Sequence, residues 1–120
     1  MKAILKNIYS YDIDEKLENY IPPVQDNFGF NVRLIIGEED LGGEESVDIF
    51  LCTPKWLIEN HSKSDIIIAW SYVIVFEFNY KNIFNKIRRT IERIEADSWE
   101  KIGEQLSKLG AWEFDDYLIE

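Results

Sequence analysis

Cysteine, histidine and methionine each occur once in the 120 residues, and proline occurs only three times. Cys52 alone cannot form an internal disulfide, and His61 has no second histidine with which to bind a metal ion. The side chains that usually serve as nucleophile, general base or metal ligand are therefore scarce. We expect the chain to have no catalytic residue, no cofactor and no metal site, and not to be an enzyme.

Basic residues are also few. Thirteen Lys and Arg side chains stand against 23 Asp and Glu side chains, which gives a net charge of −10 and a pI near 4.5. Such a surface repels nucleic acid and anionic lipid, because binding a phosphate backbone requires a basic stripe. It attracts basic proteins instead. We therefore expect a protein partner, and no binding to nucleic acid or to a membrane.

Long apolar runs are absent as well. No run reaches the roughly 18 residues of a membrane-spanning segment, and the start of the chain lacks the apolar core and cleavage site of a secretory signal. We expect a cytoplasmic protein. With 46% hydrophobic and 14% aromatic residues, the composition is typical of a folded domain with a core, and we predict one domain over residues 1–120.

Alternating apolar residues predict strands over 2–11, 28–37 and 45–53. The acidic loop between the last two, 37–45, contains three glycines, which supply the positive φ angles that turns require, and it predicts the tip of an antiparallel hairpin. The run 65–78 is β-branched and aromatic almost throughout, which indicates the central strand of the sheet.

Three helices are predicted. Thr53 followed by Pro54 predicts a short helix over 54–61, because threonine is a common N-cap and proline is favoured at the first helical position. Apolar residues at helical spacing predict a longer helix over 80–94. A variant of the capping box predicts the last helix, over 97–110, which ends at a glycine.

Strands first and a helix pair late predict an α+β fold. Its antiparallel sheet has about four strands, and one short and two longer C-terminal helices pack mainly on one face of that sheet. Trp112 and Phe114 are expected to hold the C-terminal tail against the body, because a disordered terminus rarely carries so many aromatic residues. Cys52 ends a strand and is interpreted as a small core residue rather than a reactive thiol.

Charge is distributed unevenly along the chain. Residues 38–48 carry six acids and no base, and residues 95–120 carry eight acids and two lysines. Residues 81–93 show the opposite pattern, with five bases and one acid. If these segments lie apart in the fold, the molecule is strongly dipolar.

Three stretches carry a family resemblance: DNFGF at 26–30, DIFLCTPKWL at 48–57 and LGAWEFDDY at 109–117. Together they resemble immunity protein family eight, bacterial immunity proteins found beside toxins of polymorphic and contact-dependent growth inhibition systems. The similarity runs in order over nearly the whole length. It implies an α+β fold and an antitoxin that binds and neutralises one cognate toxin domain in the cytoplasm, and it leaves the identity of that toxin open.

Many toxins of such systems are nucleases, whose sites are basic because the substrate is a polyanion. We predict that the hairpin tip, with help from the last helix or the tail, docks on a basic toxin domain and blocks its active site or substrate surface. The predicted toxin-binding residues are Glu38, Glu39, Asp40, Glu44, Glu45, Glu100, Glu104, Asp115 and Asp116. The free protein is expected to be a monomer or a weak dimer.

Several alternatives stay open at this point. The acidic loop could be a solvated tip that only maintains solubility. The chain could also be a standalone acidic interaction or regulatory module that binds another basic host protein, and the neighbouring genes would distinguish this from immunity. A hydrolase built on Asp115 and Asp116 is disfavoured, since nothing supplies a nucleophile. A calcium site in 38–45 lacks the required ligand spacing.

Overall fold

The computed structural model describes residues 1–39 and 44–112, without the side chains of residues 111 and 112. The strands within this part are Ala3–Tyr9 (β1), Gly29–Glu38 (β2), Glu44–Cys52 (β3), Tyr72–Ile74 (β4) and Ala111–Trp112 (β5). The helices are Pro54–Asn60 (α1), Tyr80–Glu92 (α2) and Trp99–Leu106 (α3), and one 3₁₀ turn covers Leu17–Asn19. The predicted α+β class, with one short helix and two helices near the C-terminus, is confirmed.

The strands form one mixed sheet. β2 pairs antiparallel with β1 on one side and with β3 on the other. The free side of β3 is shared, because β4 runs parallel to Phe50–Cys52 while β5 runs antiparallel to Val47–Asp48. The prediction of a wholly antiparallel sheet is therefore wrong for β4. The chain returns through α1 before it enters β4, and such a crossover connection gives a parallel neighbour.

The core lies on one face of the sheet, as the alternation predicts. Phe30, Val32, Leu34 and Ile36 of β2 are buried with Val47, Ile49 and Leu51 of β3. α2 and α3 cover this face with apolar stripes of their own, which contain Ile83, Ile87, Ile91, Ile102 and Leu106. Burial of these stripes, rather than helix propensity, supplies most of the stability of helices this short.

Helix starts follow the capping residues. Thr53 accepts the Trp56 N–H at the start of α1, and proline occupies the first turn as predicted. Asn79 caps α2 by accepting the Asn82 N–H. α3 begins one residue later than the box predicts, because Ser98 rather than Asp97 is the cap and satisfies one of the otherwise unpaired amides of the first turn.

The prediction of a central strand over 65–78 is wrong. Only Tyr72–Ile74 is a strand, it lies at the edge of the sheet, and β2 and β3 occupy the centre. A turn at 70–71 separates this strand from the preceding apolar residues, and Ser71 adopts a positive φ of 64° there. High β propensity marks residues that suit a pleated surface, but it does not decide which edge has room for them.

No helix in the part of the chain that the structure describes is long and apolar enough to cross a membrane.

Candidate acidic docking surface

The β2–β3 hairpin carries the first group of predicted residues at its open end. Its last ladder pairs are Ile36 with Glu45 and Gly37 with Glu44. Because side chains alternate across a strand, Glu45 points to the helix-covered face and Glu44 to the opposite face. Glu39 and Glu44 are exposed, whereas Glu38 and Glu45 are partly buried. Asp40 lies outside the described residues.

A hydrogen bond joins this hairpin to α3. The indole N–H of Trp99 donates to Glu45 Oε1 at 2.9 Å, across 54 positions of the chain. Trp99 is the first residue of α3 and packs against the core. A partly buried carboxylate needs such a donor, because desolvation without a partner is costly. The contact brings the acidic end of β3 and the acidic start of α3 together.

α3 presents its acids to solvent. Ile102, Gly103 and Leu106 are buried, while Glu100 and Glu104 lie on the exposed side of the helix, four residues apart. Neither forms an ion pair with any described residue. Glu100 is in the first helical turn, where the helix dipole stabilises a carboxylate. Glu38, Glu39, Glu44, Glu45, Glu100 and Glu104 are called the acidic surface below.

The remaining predicted residues belong to the tail. Asp115 and Asp116 lie outside the described residues, as does Phe114. The chain enters this region from β5, whose backbone pairs Trp112 with Val47 and Ala111 with Asp48. Since β5 is antiparallel to β3, the chain at Trp112 is heading toward the Glu44 end of β3.

One acid of the hairpin is neutralised. Arg33 Nε donates to Asp48 Oδ1 at 2.7 Å and Arg33 Nη2 donates to Asp48 Oδ2 at 2.9 Å. This fork geometry is the strongest arrangement of an ion pair. The hydrogen bonds from the guanidinium to Asp48 raise the pKa of Arg33, so its charge is fixed. The acidic excess of residues 38–48 is thus smaller than the sequence count indicates.

Tyrosines extend the Arg33 pair across the face of the sheet that is opposite the core. Arg33 Nη1 donates to the Tyr11 hydroxyl, and the Tyr9 and Tyr11 hydroxyls are 3.1 Å apart. Hydrogen bonding to Tyr9, followed by desolvation, raises the pKa of Tyr11. Sequence reasoning missed this network, although the hairpin register was a usable signal. A tip centred near residue 41 places Arg33 opposite Asp48, as observed.

The basic residues lie on α2 and at its C-cap, Arg93. Exposed side chains belong to Lys81, Lys86, Arg88, Arg89 and Arg93, and Arg88 lies 3.7 Å from Glu92 one turn later. α2 contacts β1 and the 3₁₀ turn. Its basic side therefore belongs to a different element from either segment of the acidic surface.

Cys52 and His61 belong to the residue types most often used in catalysis, and both occupy structural positions here. Cys52 is fully buried, and burial raises the pKa of its thiol, which keeps it protonated and unreactive. His61 is the C-cap residue of α1, and its Nδ1 lies 3.2 Å from Asp65 Oδ2. Among the described residues, no group of three or more His, Cys, Asp and Glu side chains is placed to hold a metal ion.

Comparison with known proteins identifies the family of this chain. Neither the curated proteins nor the solved structures contain a similar chain. The sequence profile described as Immunity protein 8 matches residues 3–117, which confirms the resemblance carried by the three motifs. Because this match covers nearly the whole chain, the protein belongs to the Immunity protein 8 family, a family of immunity proteins of polymorphic toxin systems.

Proposed function

We propose that this chain neutralises one cognate toxin domain by binding it through the acidic surface, and that the bound toxin surface is basic, as in a nuclease. The immunity protein performs no reaction of its own and acts in the cytoplasm. Binding covers the toxin's active site or its substrate surface, so that the polyanionic substrate cannot enter.

The observation that carries this proposal is the Trp99–Glu45 hydrogen bond. It draws two acidic segments, distant in sequence, into one neighbourhood. A patch of one sign raises the rate of encounter with a partner of the opposite sign, up to about 10⁸–10⁹ M⁻¹s⁻¹ at low salt. Fast capture suits an antitoxin, which must reach the toxin before the toxin reaches its substrate.

The acids of this surface lie on regular secondary structure, which favours a role in binding over a role in solubility alone. Glu44 and Glu45 are held in the β2–β3 ladder, and Glu100 follows a capped helix start. Side chains on regular elements lose less conformational freedom on binding than side chains on a loop. Glu100 and Glu104 also lie four residues apart without an ion pair to any described residue, and a like-charge pair at this spacing costs an isolated helix about 0.2–0.5 kcal/mol.

Charge reversal tests the proposal. The variant Glu39→Lys, Glu44→Lys, Glu100→Lys is expected to lose protection when co-expressed with the toxin domain encoded beside this chain. Association of the purified proteins should slow by at least about tenfold at low salt, and the difference should shrink as salt is added. Glu45 is left unchanged in this variant so that its contact with Trp99 persists.

A matched control separates location from net charge. The variant Asp14→Lys, Glu15→Lys, Glu18→Lys changes the net charge equally at three exposed positions outside the acidic surface. It should protect as well as the wild type. Equal loss in both variants would show that net charge alone matters, and full protection by the first variant would exclude the acidic surface as the interface. Asp40→Asn and the pair Asp115→Asn, Asp116→Asn test the flanking acids in the same assay.

A further inference from the structure

The acidic surface is too small to hold a bound protein by itself. It contains six side chains, of which Glu38 and Glu45 are partly buried. Each partner of a standard interface contributes roughly 800 Å² and about 20–30 residues. Glutamate is depleted in interfaces, whereas tyrosine and arginine are enriched at their centres. Since proteins of this family bind a cognate toxin, a toxin domain that docks on the acidic surface must also cover neighbouring surface.

Two surfaces adjoin the acidic surface. On α3, the exposed neighbours of its glutamates include Lys101 and Gln105, which are long side chains that lose much entropy when they are immobilised. On the sheet, Glu44 lies on the face opposite the core, and this face continues along the hairpin to Asp48 and its partner Arg33. Asp48 is four residues from Glu44, which is about 13 Å along a strand. The second surface contains the tyrosines.

Tyr9, Tyr11, Arg33 and Asp48 are called the tyrosine platform below. The Tyr11 ring is 66% exposed, yet two neighbours fix its position. The guanidinium carbon of Arg33 lies 4.7 Å from the centre of the ring, and the rings of Tyr9 and Tyr11 meet edge to face at 5.3 Å. Arg33 is itself held by both oxygens of Asp48. An exposed ring that is already ordered loses little conformational entropy when a partner covers it.

The charge near the platform suits the same partner as the acidic surface. Arg33 and Asp48 neutralise each other, and Asp12, the residue after Tyr11, adds a second carboxylate. Asp12 Oδ2 accepts the backbone N–H of Asn31 at 2.8 Å and its side-chain amide at 3.3 Å, which fixes it beside β2. Two carboxylates and one guanidinium leave a charge of −1. A carboxylate beside ordered tyrosine rings fits a lysine or arginine of a basic toxin.

Tyr11 lies outside the elements that build the fold. β1 ends at Tyr9, and Tyr11 does not belong to the hydrophobic core, which lies on the other face of the sheet. The chain then leaves this face, because Leu17 is buried in the core and the 3₁₀ turn contacts α2. Substitutions of such exposed side chains usually change stability little, so the ring is free to serve in binding.

We propose that the tyrosine platform retains the bound toxin, with Tyr11 as the anchor and Arg33 as the residue that positions it. This inference rests on the proposed function, because it requires a toxin that docks on the acidic surface and extends along the same hairpin. The acids govern encounter, since charge acts over a long distance and mainly sets the association rate. The platform governs dissociation, since desolvated tyrosine and arginine side chains supply much of the binding energy of protein interfaces.

Binding kinetics with the purified toxin domain encoded beside this chain test the inference. Tyr11→Ala should raise the dissociation rate at least about tenfold and change the association rate by less than about twofold. Tyr11→Phe keeps the ring and should dissociate nearly as slowly as the wild type. Arg33→Lys keeps the charge but loses the fork, so it should speed dissociation. It should add little in a Tyr11→Ala background, because it acts through the position of that ring.

Phe76→Ala is the matched control, because the Phe76 ring is 78% exposed but lines a groove between β4 and α2. This variant should dissociate as the wild type does. Urea unfolding verifies that each variant is folded. Hydroxyl-radical footprinting of the wild type gives a second measurement that needs no variant. Bound toxin should protect Tyr11 and leave Phe76 reactive.

The inference is overturned if Tyr11→Ala dissociates as slowly as the wild type, if Phe76→Ala dissociates as fast as Tyr11→Ala, or if bound toxin leaves Tyr11 unprotected. Additive effects of the Arg33 and Tyr11 substitutions would overturn the positioning role of Arg33. Failure of the proposed function gives a different result, because the variant Glu39→Lys, Glu44→Lys, Glu100→Lys would then associate as fast as the wild type. Slow association of that variant, together with normal dissociation of Tyr11→Ala, would remove the platform alone.

Discussion

Thr53 and Phe28 form reciprocal hydrogen bonds at the end of the β2–β3 ladder. The Phe28 N–H donates to Thr53 Oγ1 at 3.1 Å, and the Thr53 N–H donates to the Phe28 carbonyl at 3.0 Å. Thr53 is fully buried, and its Oγ1 also accepts the Trp56 N–H at the start of α1. Two of the stretches that carry the family resemblance, 26–30 and 48–57, therefore meet at this pair.

Thr53→Val should destabilise the fold by about 2–4 kcal/mol. The substitution keeps the shape of the side chain but leaves the amides of Phe28 and Trp56 without their acceptor, and an unsatisfied buried donor costs about 1–3 kcal/mol in addition to the lost cap. Urea unfolding measures the change. Thr53→Ser retains the hydroxyl and should cost clearly less, so equal losses in the two variants would contradict this role for the hydroxyl.

Gly29→Ala should destabilise the fold by about 1–3 kcal/mol, the usual cost of overpacking. A Cβ at this position would lie 2.5 Å from Cδ2 and Cε2 of the Trp56 ring and 3.0 Å from Phe50 Cζ. Trp56 must therefore move for the methyl group to fit. In a Trp56→Leu background the same substitution should cost much less, and the double-mutant cycle gives the coupling. Additive effects would show that the cost has another origin.

Cys52 should resist thiol reagents in the native protein. It is fully buried and its pKa is raised by that burial, and the thiolate is the reactive form. Labelling with a chromogenic disulfide reagent should follow the global unfolding reaction and accelerate with urea. Rapid labelling at low urea, without loss of the circular dichroism signal, would show that the end of β3 opens locally.

Acid should remove the contribution of the Asp65 carboxylate to the stability of the folded state. The Ser62 N–H donates to its carboxylate, followed by the Ser62 hydroxyl and the His61 ring, and these contacts lower the pKa of Asp65. A carboxylate whose pKa is lowered in the folded state stabilises that state at any pH above its pKa in the unfolded chain, which is about 3.9. This stabilisation is lost as the pH falls through the pKa of the folded state. Asp65→Asn should therefore be less stable than the wild type at pH 7.

Urea midpoints at several pH values test this expectation. The difference between Asp65→Asn and the wild type should shrink below about pH 4, because the wild-type carboxylate is then protonated as well. Ser62→Ala keeps the backbone donor and removes the hydroxyl, so it should produce a smaller loss at pH 7. A difference that stays constant down to strongly acid pH would assign the effect to shape rather than to charge.

Local signals predict most of this fold. The alternation of Phe30, Val32 and Leu34, the cap at Thr53 and the helical stripe from Ile83 onward each depend on neighbours in sequence, and each is confirmed. The prediction of a central strand over 65–78 is wrong because composition indicates only that the residues suit a strand. The position of β4 in the sheet depends on which part of the free side of β3 is open to it, and this is determined by the pairing of β5 and by the crossover through α1.

In the candidate site, too, local sequence predicts the individual residues but not how they come together. Local sequence identifies Glu39, Glu44 and Glu100 as acids near a turn or a helix start, and these side chains are exposed. Their assembly depends on contacts that are distant in sequence and that no local pattern encodes. The Trp99–Glu45 bond joins the two acidic segments, and Arg33 removes Asp48 from the free charge.

Glu45 and Trp99 allow charge and structure to be separated at the proposed interface. Glu45→Gln keeps an oxygen that accepts the Trp99 N–H but removes the charge, whereas Trp99→Phe keeps the charge and removes the donor. If the acidic surface binds toxin electrostatically, Glu45→Gln should slow association several-fold at low salt and leave stability nearly unchanged. Trp99→Phe should lower stability by about 1–2 kcal/mol with a smaller effect on association. Stopped-flow association and urea unfolding measure the two quantities, and slower association in Trp99→Phe alone would mean that the orientation of α3, rather than the charge of Glu45, controls capture.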